Sequence, residues 1–270
     1  MLIRRMPKPA LRPFVRMLWA SDGKDLATTP HRERVVPTGT MHLAFRLSDH
    51  PLRLFEDAAA TVARIVGHVV VGGARSSFYV REVFGGERSV GVQLHPGAAA
   101  VLFGVPCDEL AERHTPLEQV WSPTALRMRD RLGATGNLEE QLDVLESMLA
   151  ARLPRVHGLH PAIAQALEQF ATTSDVGSVV KETGYSHRRF IALFSKAVGL
   201  TPKRYCRVLR FQGALRRMAA RPRAPWIEVA LDAGYSDQPH FNREFRELVG
   251  VTPGEYRRVA PTLTHHVPIR

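Results

Sequence analysis

The sequence predicts an α+β protein in two parts: a β-rich N-terminal part followed by helices, then an all-α part carrying two helix-turn-helix units. Three observations predict it. Before about residue 97, apolar residues alternate with polar ones and are punctuated by glycine and proline. Beyond that point the apolar spacing becomes helical. Within the last hundred residues, one stretch of about fifty residues occurs twice.

In the strand region, Met41, Leu43, Phe45 and Leu47 alternate with His42, Ala44 and Arg46, a period of two. Residues 76–84 and 88–95 alternate in the same way. Parted by Gly85 and Gly86, they are expected to form a hairpin. Residues 65–71, bounded by Gly72 and Gly73, are expected to be one further buried strand. Several short strands so punctuated predict a sandwich or small barrel.

Helices are expected at 108–113 and at 137–153. In the latter, Leu138, Leu142, Leu145, Leu149 and Leu153 fall at helical spacing. That stripe covers little more than two heptads, so it reads as core packing before it reads as a dimer seam. Two prolines and a glycine in 154–161 place the domain boundary there, giving 1–155 for the β-rich part and 156–270 for the helical part.

The repeat is the strongest signal. Gly184-Tyr185-Ser186 returns as Gly234-Tyr235-Ser236, and Gly199-Leu200-Thr201-Pro202 as Gly250-Val251-Thr252-Pro253. Phe190 and Phe194 match Phe241 and Phe245, with one residue added near 237–239. Each copy has an amphipathic helix, a glycine suited to a left-handed C-terminal position, and a side chain able to cap the next helix (Ser186, then Ser236 or Asp237). The second helix of each copy has a phenylalanine pair at i, i+4 for the core. Thr201-Pro202 and Thr252-Pro253 start the following helices, and Glu255 completes a capping box in the second. Helix, short turn, then a helix polar on its free face is a helix-turn-helix. Two of them joined by a helix from Pro202 to about Ala220 suit successive major grooves about 34 Å apart.

Charge agrees with a polyanionic partner. The chain carries 37 Lys and Arg against 26 Asp and Glu, a net charge of +11. Residues 1–159 contribute 20 and 17, whereas residues 160–270 contribute 17 and 9. The excess therefore sits with the repeat, as double-stranded DNA binding requires. The candidate DNA-contacting residues are His187, Arg188 and Arg189 on the first recognition helix, and Gln238, His240, Asn242, Arg243 and Arg246 on the second. Arginine can bridge guanine O6 and N7 or grip a phosphate, and the Asn and Gln amides match adenine. Lys196, Lys203, Arg204 and Arg257 are phosphate candidates.

On these residues, the last hundred positions resemble the DNA-binding domain of AraC/XylS-type transcription regulators. Ala230, Gly234, Phe241, Arg243, Phe245, Gly250, Thr252, Pro253, Tyr256 and Arg257 fall where the pattern of that family expects them. The resemblance implies sequence-specific recognition by both helices, with RNA polymerase as an expected partner. Ile191 and Ala192 stand where many members carry polar base-reading side chains, which leaves a thymine methyl or mainly phosphates to the first helix. The N-terminal part is similar, less specifically, to an uncharacterised sensor module found before such domains, through residues 35–47 and 90–121. Such modules are usually cupin-like barrels followed by helices. A small-molecule effector and a homodimer are therefore candidate partners, with His42, Arg46, Gln93 and His95 as candidate pocket residues.

Other classes find less support. Two cysteines, Cys107 and Cys206, exclude a disulfide scaffold and an all-thiolate zinc finger. Twelve histidines occur without metal-ligand spacing, the adjacent His265-His266 apart, so no metal and no cofactor is expected. No nucleophile elbow, phosphate loop or dinucleotide fingerprint is present, and no enzymatic activity is expected. The rival readings are a cupin-type metalloenzyme with a DNA-binding tail and a non-specific architectural DNA protein. The basic start is interrupted by Arg12, Pro13 and Arg16, and no run of about 18 apolar residues occurs. A cytoplasmic protein without membrane contact is the expectation.

Overall fold

The computed structural model describes residues 1–24, 29–121, 124–153, 158–259 and 265–269. The β-rich part contains β1 (Leu2–Arg5), β2 (Val15–Ser21), β3 (His31–Val35), β4 (His42–Arg46), β5 (Leu52–Phe55), β6 (Arg64–Gly67), β7 (Val69–Gly72), β8 (Tyr79–Val83) and β9 (Ser89–Leu94). Two short helices, α1 (Ala98–Phe103) and α2 (Cys107–Leu110), precede β10 (His114–Pro116), α3 (Thr124–Gly133) and α4 (Leu138–Ala150). The helical part comprises α5 (Pro161–Phe170), α6 (Val176–Thr183), α7 (His187–Val198), α8 (Pro202–Ala220), α9 (Trp226–Asp232), α10 (Gln238–Val249) and α11 (Pro253–Val259). A last strand, β11 (His266–Ile269), follows.

The strands form two sheets, ordered β1-β2-β9-β4-β7-β10 and β11-β3-β8-β5-β6. Of the sandwich or small barrel expected, the strands form two sheets that do not close into a barrel: among the described residues no strand pairing joins one sheet to the other. The expected hairpin is corrected. Strand β8 pairs with β3 and β5, whereas β9 pairs with β2 and β4, so these consecutive strands lie in different sheets. The single strand expected at 65–71 is two strands, also in different sheets. Gly67, at φ 138°, provides the break between them, in a conformation costly for a residue with a Cβ. In the expected hairpin, alternation placed Val80, Val90 and Val92 in the core but was silent about which strand pairs with which; of the run expected to be buried at 65–71, Val66 and Val69–Val71 are buried and Ile65 is exposed.

The apolar face of the first sheet carries Val15, Leu18, Leu43, Phe45, Val69, Val71, Val90 and Val92, all fully buried. Helix α4 packs on β2 and β9, and α3 packs on β7. Leu142, Leu145 and Leu149 of α4 are fully buried in this core, so its leucine stripe is core packing. Asn137 caps α4 by accepting from the Glu140 amide.

The connection from β7 to β8 passes the end of α2 so closely that it leaves no room for a side chain. A Cβ on Gly73 would lie 1.7 Å from the carbonyl oxygen of Leu110, and its own N–H donates to Arg113 O at 2.9 Å. Gly73→Ala is therefore expected to destabilise the protein by at least the ~1–3 kcal/mol of an overpacked site. An unchanged melting temperature would refute that close approach.

The first core does not stop where the β-rich part ends. It runs on through Ile163, Phe170, Phe190, Phe194, Val198 and Tyr205, and α1 and α2 pack against α7. A second core holds Phe211, Leu215, Phe241, Phe245, Leu248 and Tyr256, together with Val36 and Val267. The boundary expected at 155/156 lies among residues 154–157, outside the described residues.

Candidate nucleic-acid interface

Each recognition helix is set by a glycine, a cap and a buried phenylalanine pair. In the first unit, Gly184 (φ 73°) ends α6 and Ser186 caps α7 by accepting from the Arg189 amide. Phe190 and Phe194 are fully buried, and Phe194 meets the rings of Phe170 and Tyr205, each at 5.6 Å. The helical period then turns Arg188, Ala192 and Lys196 outward, and all three are exposed, as are His187 and Arg189 in the first turn. Ile191 is half-buried.

The second unit repeats this construction. Gly234 (φ 85°) follows α9, and the cap is Asp237, which accepts from the His240 amide at 2.7 Å. Phe241 and Phe245 face inward; Arg243 and Arg246 are exposed. Gln238, His240 and Asn242 are half-buried. His240 Nδ1 lies 3.0 Å from Ser236 Oγ, which holds its ring against the turn. A shallow hollow beside α10 has Asn242, Arg243 and Arg246 on one wall and Trp226, Thr252 and Gly254 on the other.

One residue of this helix escaped sequence reasoning. Glu244 is buried, with Arg210 Nη2 at 2.7 Å and Arg207 Nε at 3.1 Å, both from α8. This cluster sets the rotation of α10 about its axis, and burial together with Glu244 raises the pKa of the neighbouring Tyr235 phenol. Only tertiary packing brings Glu244 to those arginines, so sequence spacing held no signal for it.

Lys203 and Arg204 are exposed in the first turn of α8, the end at which the helix dipole disfavours cations. Among the described residues neither forms an ion pair, nor do Arg188, Arg189, Lys196, Arg243 or Arg246. These seven candidates are exposed cations with no carboxylate at ion-pair distance among the described residues, as are Lys181, Arg216, Arg223 and Arg258 elsewhere in the helical part. Arg257 is different: its guanidinium lies 3.4 Å over the Trp226 ring and donates to Ala224 O at 3.0 Å. Thr252 and Glu255 form the expected capping box, with Thr252 N–H on Glu255 Oε2 at 2.7 Å and Glu255 N–H on Thr252 Oγ1 at 3.2 Å.

In the β-rich part, His42 and Gln93 are cross-strand partners, and His42 and His114 both pair with Gly72, so the four form one row across the first sheet. His42 packs where a Cβ on Gly72 would stand. Burial, then the charge of Arg81, pushes its imidazole down to about 4. Gln93 Nε2 donates to Thr40 Oγ1 at 2.8 Å. Arg46 is buried and held by Glu87 at 2.5 Å. His95 lies past the end of β9, half-buried beside Arg16, apart from that row. The row brought in a residue absent from the expected set. His114 is buried beside Tyr79, with ring centroids 4.4 Å apart, and neither of its ring nitrogens has a hydrogen-bond partner among the described residues. Burial pushes the Cys107 thiol up to about 12, an unreactive state. Among the described residues no three His, Cys, Asp or Glu side chains gather as a metal site, and no helix is long and apolar enough to cross a membrane.

Two capped helix-turn-helix units on a shared connecting helix, each turning unpaired cations outward, define a DNA-binding protein of the double helix-turn-helix class. Comparison with known proteins agrees: a helix-turn-helix domain family matches residues 179–259, and a domain family of unknown function matches residues 3–116. The RCS-specific transcriptional activator RclR of Escherichia coli is 34% identical over 103 residues, covering 37% of this chain and 36% of RclR. The transposon Tn10 TetD protein of Escherichia coli is 31% identical over 96 residues, 36% of this chain and 67% of TetD. The structure of ToxT from Vibrio cholerae aligns over 86% of this chain and 97% of its own, at 10% identity and a TM-score of 0.45. The chain belongs to the AraC/XylS-type transcription regulators. It matches about a third of the length of the first curated relatives, through the helical part.

Proposed function

We propose that this protein is a sequence-specific DNA-binding transcription regulator of the cytoplasm, without enzymatic activity, in which residues 156–270 read DNA and residues 1–155 sense an effector or a second copy of the chain. The observation that carries it is the pair of exposed, cation-bearing faces on α7 and α10, each fixed to a core by buried phenylalanines. His187, Arg188 and Arg189 contact DNA from the first helix. Gln238, His240, Asn242, Arg243 and Arg246 do so from the second, with Lys196, Lys203 and Arg204 on phosphates. Of the phosphate candidates, Arg257 has the weakest support, since Trp226 and Ala224 already engage it. RNA polymerase is the partner through which such a regulator acts.

The sensing role is supported by the row of His42, Gln93 and His114. A buried imidazole with both nitrogens unpartnered is costly to keep, and a polar small molecule bound there would satisfy it. Effector binding would then shift the balance between arrangements of the sensing part and the DNA-reading units.

Fluorescence anisotropy against the protein's own upstream DNA and a random duplex, at several salt concentrations, tests the reading. A preference of ~10³-fold or more is expected of a specific regulator. Equal binding that falls steeply with salt would instead indicate a non-specific DNA protein. Arg243→Ala is expected to cost ~1–3 kcal/mol of discrimination at one base position. A uniform loss on every sequence would reassign Arg243 to a phosphate.

A further inference from the structure

The strand β11 belongs by sequence to the DNA-reading part and by hydrogen bonding to the sensing part. It continues the second sheet by pairing antiparallel with β3, in the register His266↔Val35, Val267↔Arg34, Pro268↔Glu33 and Ile269↔Arg32. Strand alternation sends its side chains two ways. Val267 is fully buried in the core of the second helix-turn-helix unit, beside the buried Val36 from the end of β3. His266 turns to the other side, where its Nδ1 lies 2.7 Å from Glu33 Oε1, the same oxygen that accepts from Arg81 Nε at 2.6 Å. Helix α8 is strapped to the same corner. Gln212 Nε2 donates to Pro37 O at 2.7 Å, His265 Nε2 lies 2.8 Å from Gln212 Oε1, and Val36 N–H donates to His265 O at 3.0 Å.

We propose that β11 is a clasp by which the sensing part restrains the second helix-turn-helix unit, and that its release lets that unit turn about α8 to meet DNA. The inference rests on the DNA-reading function proposed above. Four residues on a sheet edge make few cross-strand pairs, which places β11 at the low-stability end of the fold, where local opening occurs without global unfolding. Opening it leaves α8 in place, because that helix is anchored in both cores through Tyr205, Val208, Phe211 and Leu215. With β11 docked, the second unit is held to the rest of the chain by α8, by the pairing of β11 with β3, and where Val36 and the Arg34–Phe78 surface meet the end of α10 at Gly250. With β11 free, the strand pairing is lost and α8 with those side-chain contacts remains. Two recognition helices entering successive grooves must adopt one mutual orientation, so each added attachment opposes any adjustment the DNA demands.

The test uses the full chain, a chain lacking residues 265–270, and the double variant Arg34→Cys/Val267→Cys. Cross-strand partners in antiparallel pairs have Cα atoms about 4.5–5.5 Å apart, within disulfide reach. Oxidation of the double variant locks the clasp, and its reduced form is the control; Cys107 and Cys206 are both buried. Each form is titrated with the best-bound duplex from the anisotropy screen, and amide exchange is followed at Arg34 and Val36. The shortened chain should exchange those amides at least tenfold faster and bind the duplex at least threefold tighter. The oxidised variant should bind at least threefold more weakly than the reduced one. Equal affinities, or weaker binding by the shortened chain with α10 amides still protected, would overturn the proposal. Should the shortened chain fail to fold, the oxidised and reduced forms decide. Failure of every form to bind any duplex would sink the DNA reading and with it this role of the clasp, whereas equal binding by all forms would sink the clasp alone.

Discussion

Phe245→Ala is expected to destabilise the second helix-turn-helix unit by about 3–5 kcal/mol, the range for truncating a large buried aromatic. Phe245 is fully buried at the centre of a ring cluster: Phe241 lies 5.5 Å away, Phe211 5.6 Å and Tyr256 5.5 Å, each ring meeting it edge to face. The loss therefore combines transfer, cavity and ring-packing terms at one site. Those neighbours come from α10, α8 and α11, so loosening them frees the unit as a whole. Thermal melting followed by circular dichroism would show the loss. A melting curve like that of the parent would mean that another face of α10 is inward, and the assignment of Arg243 and Arg246 to the outer face would fall with it.

Glu87→Ala is expected to cost about 3–5 kcal/mol, for a different reason. The side chains of Arg46 and Glu87 are 5% and 6% exposed and their charged atoms are 2.5 Å apart. Removing the carboxylate leaves a guanidinium in the interior whose remaining hydrogen-bond partner among the described residues is the His50 carbonyl, 3.0 Å from Nε. Arg46→Met combined with Glu87→Leu should recover most of the loss, because the penalty belongs to the orphaned charge and not to the missing contact. Denaturant titration of the single and double variants separates the two. A single variant as stable as the parent would show that water reaches Arg46 in solution.

The helical half was legible because its determinants are local. Gly184, Ser186, Gly234, Thr252 and Glu255 act within one helical turn of themselves, and the structure uses each as its spacing predicts. The cap at 236–237 could be assigned to either residue from sequence, and Asp237 takes it. The β-rich half was legible in its buried faces and illegible in its pairing. Val80 and Val92 are both fully buried, as alternation predicts, but strand partners are chosen by contacts far apart in sequence. The break at Gly67 depends on a single backbone angle. Among the site residues, exposure of Arg188, Arg189, Arg243 and Arg246 followed from the phenylalanine register. Glu244, His114 and the docking of His266 on Glu33 did not, because each is created by elements that meet only in the folded chain.

The first core joins Leu43 and Phe45 of a strand to Phe190 and Phe194 of a recognition helix without interruption. The two halves are consequently poor candidates for exchange by recombination. A sensing module grafted in front of this helical part would have to supply its own counterparts of α1 and α2 for the flank of α7, and an edge strand for Val267 to lie against. In evolutionary terms, the β-rich part and the helical part are bound to change together, each substitution at their shared surface narrowing what the other side can accept.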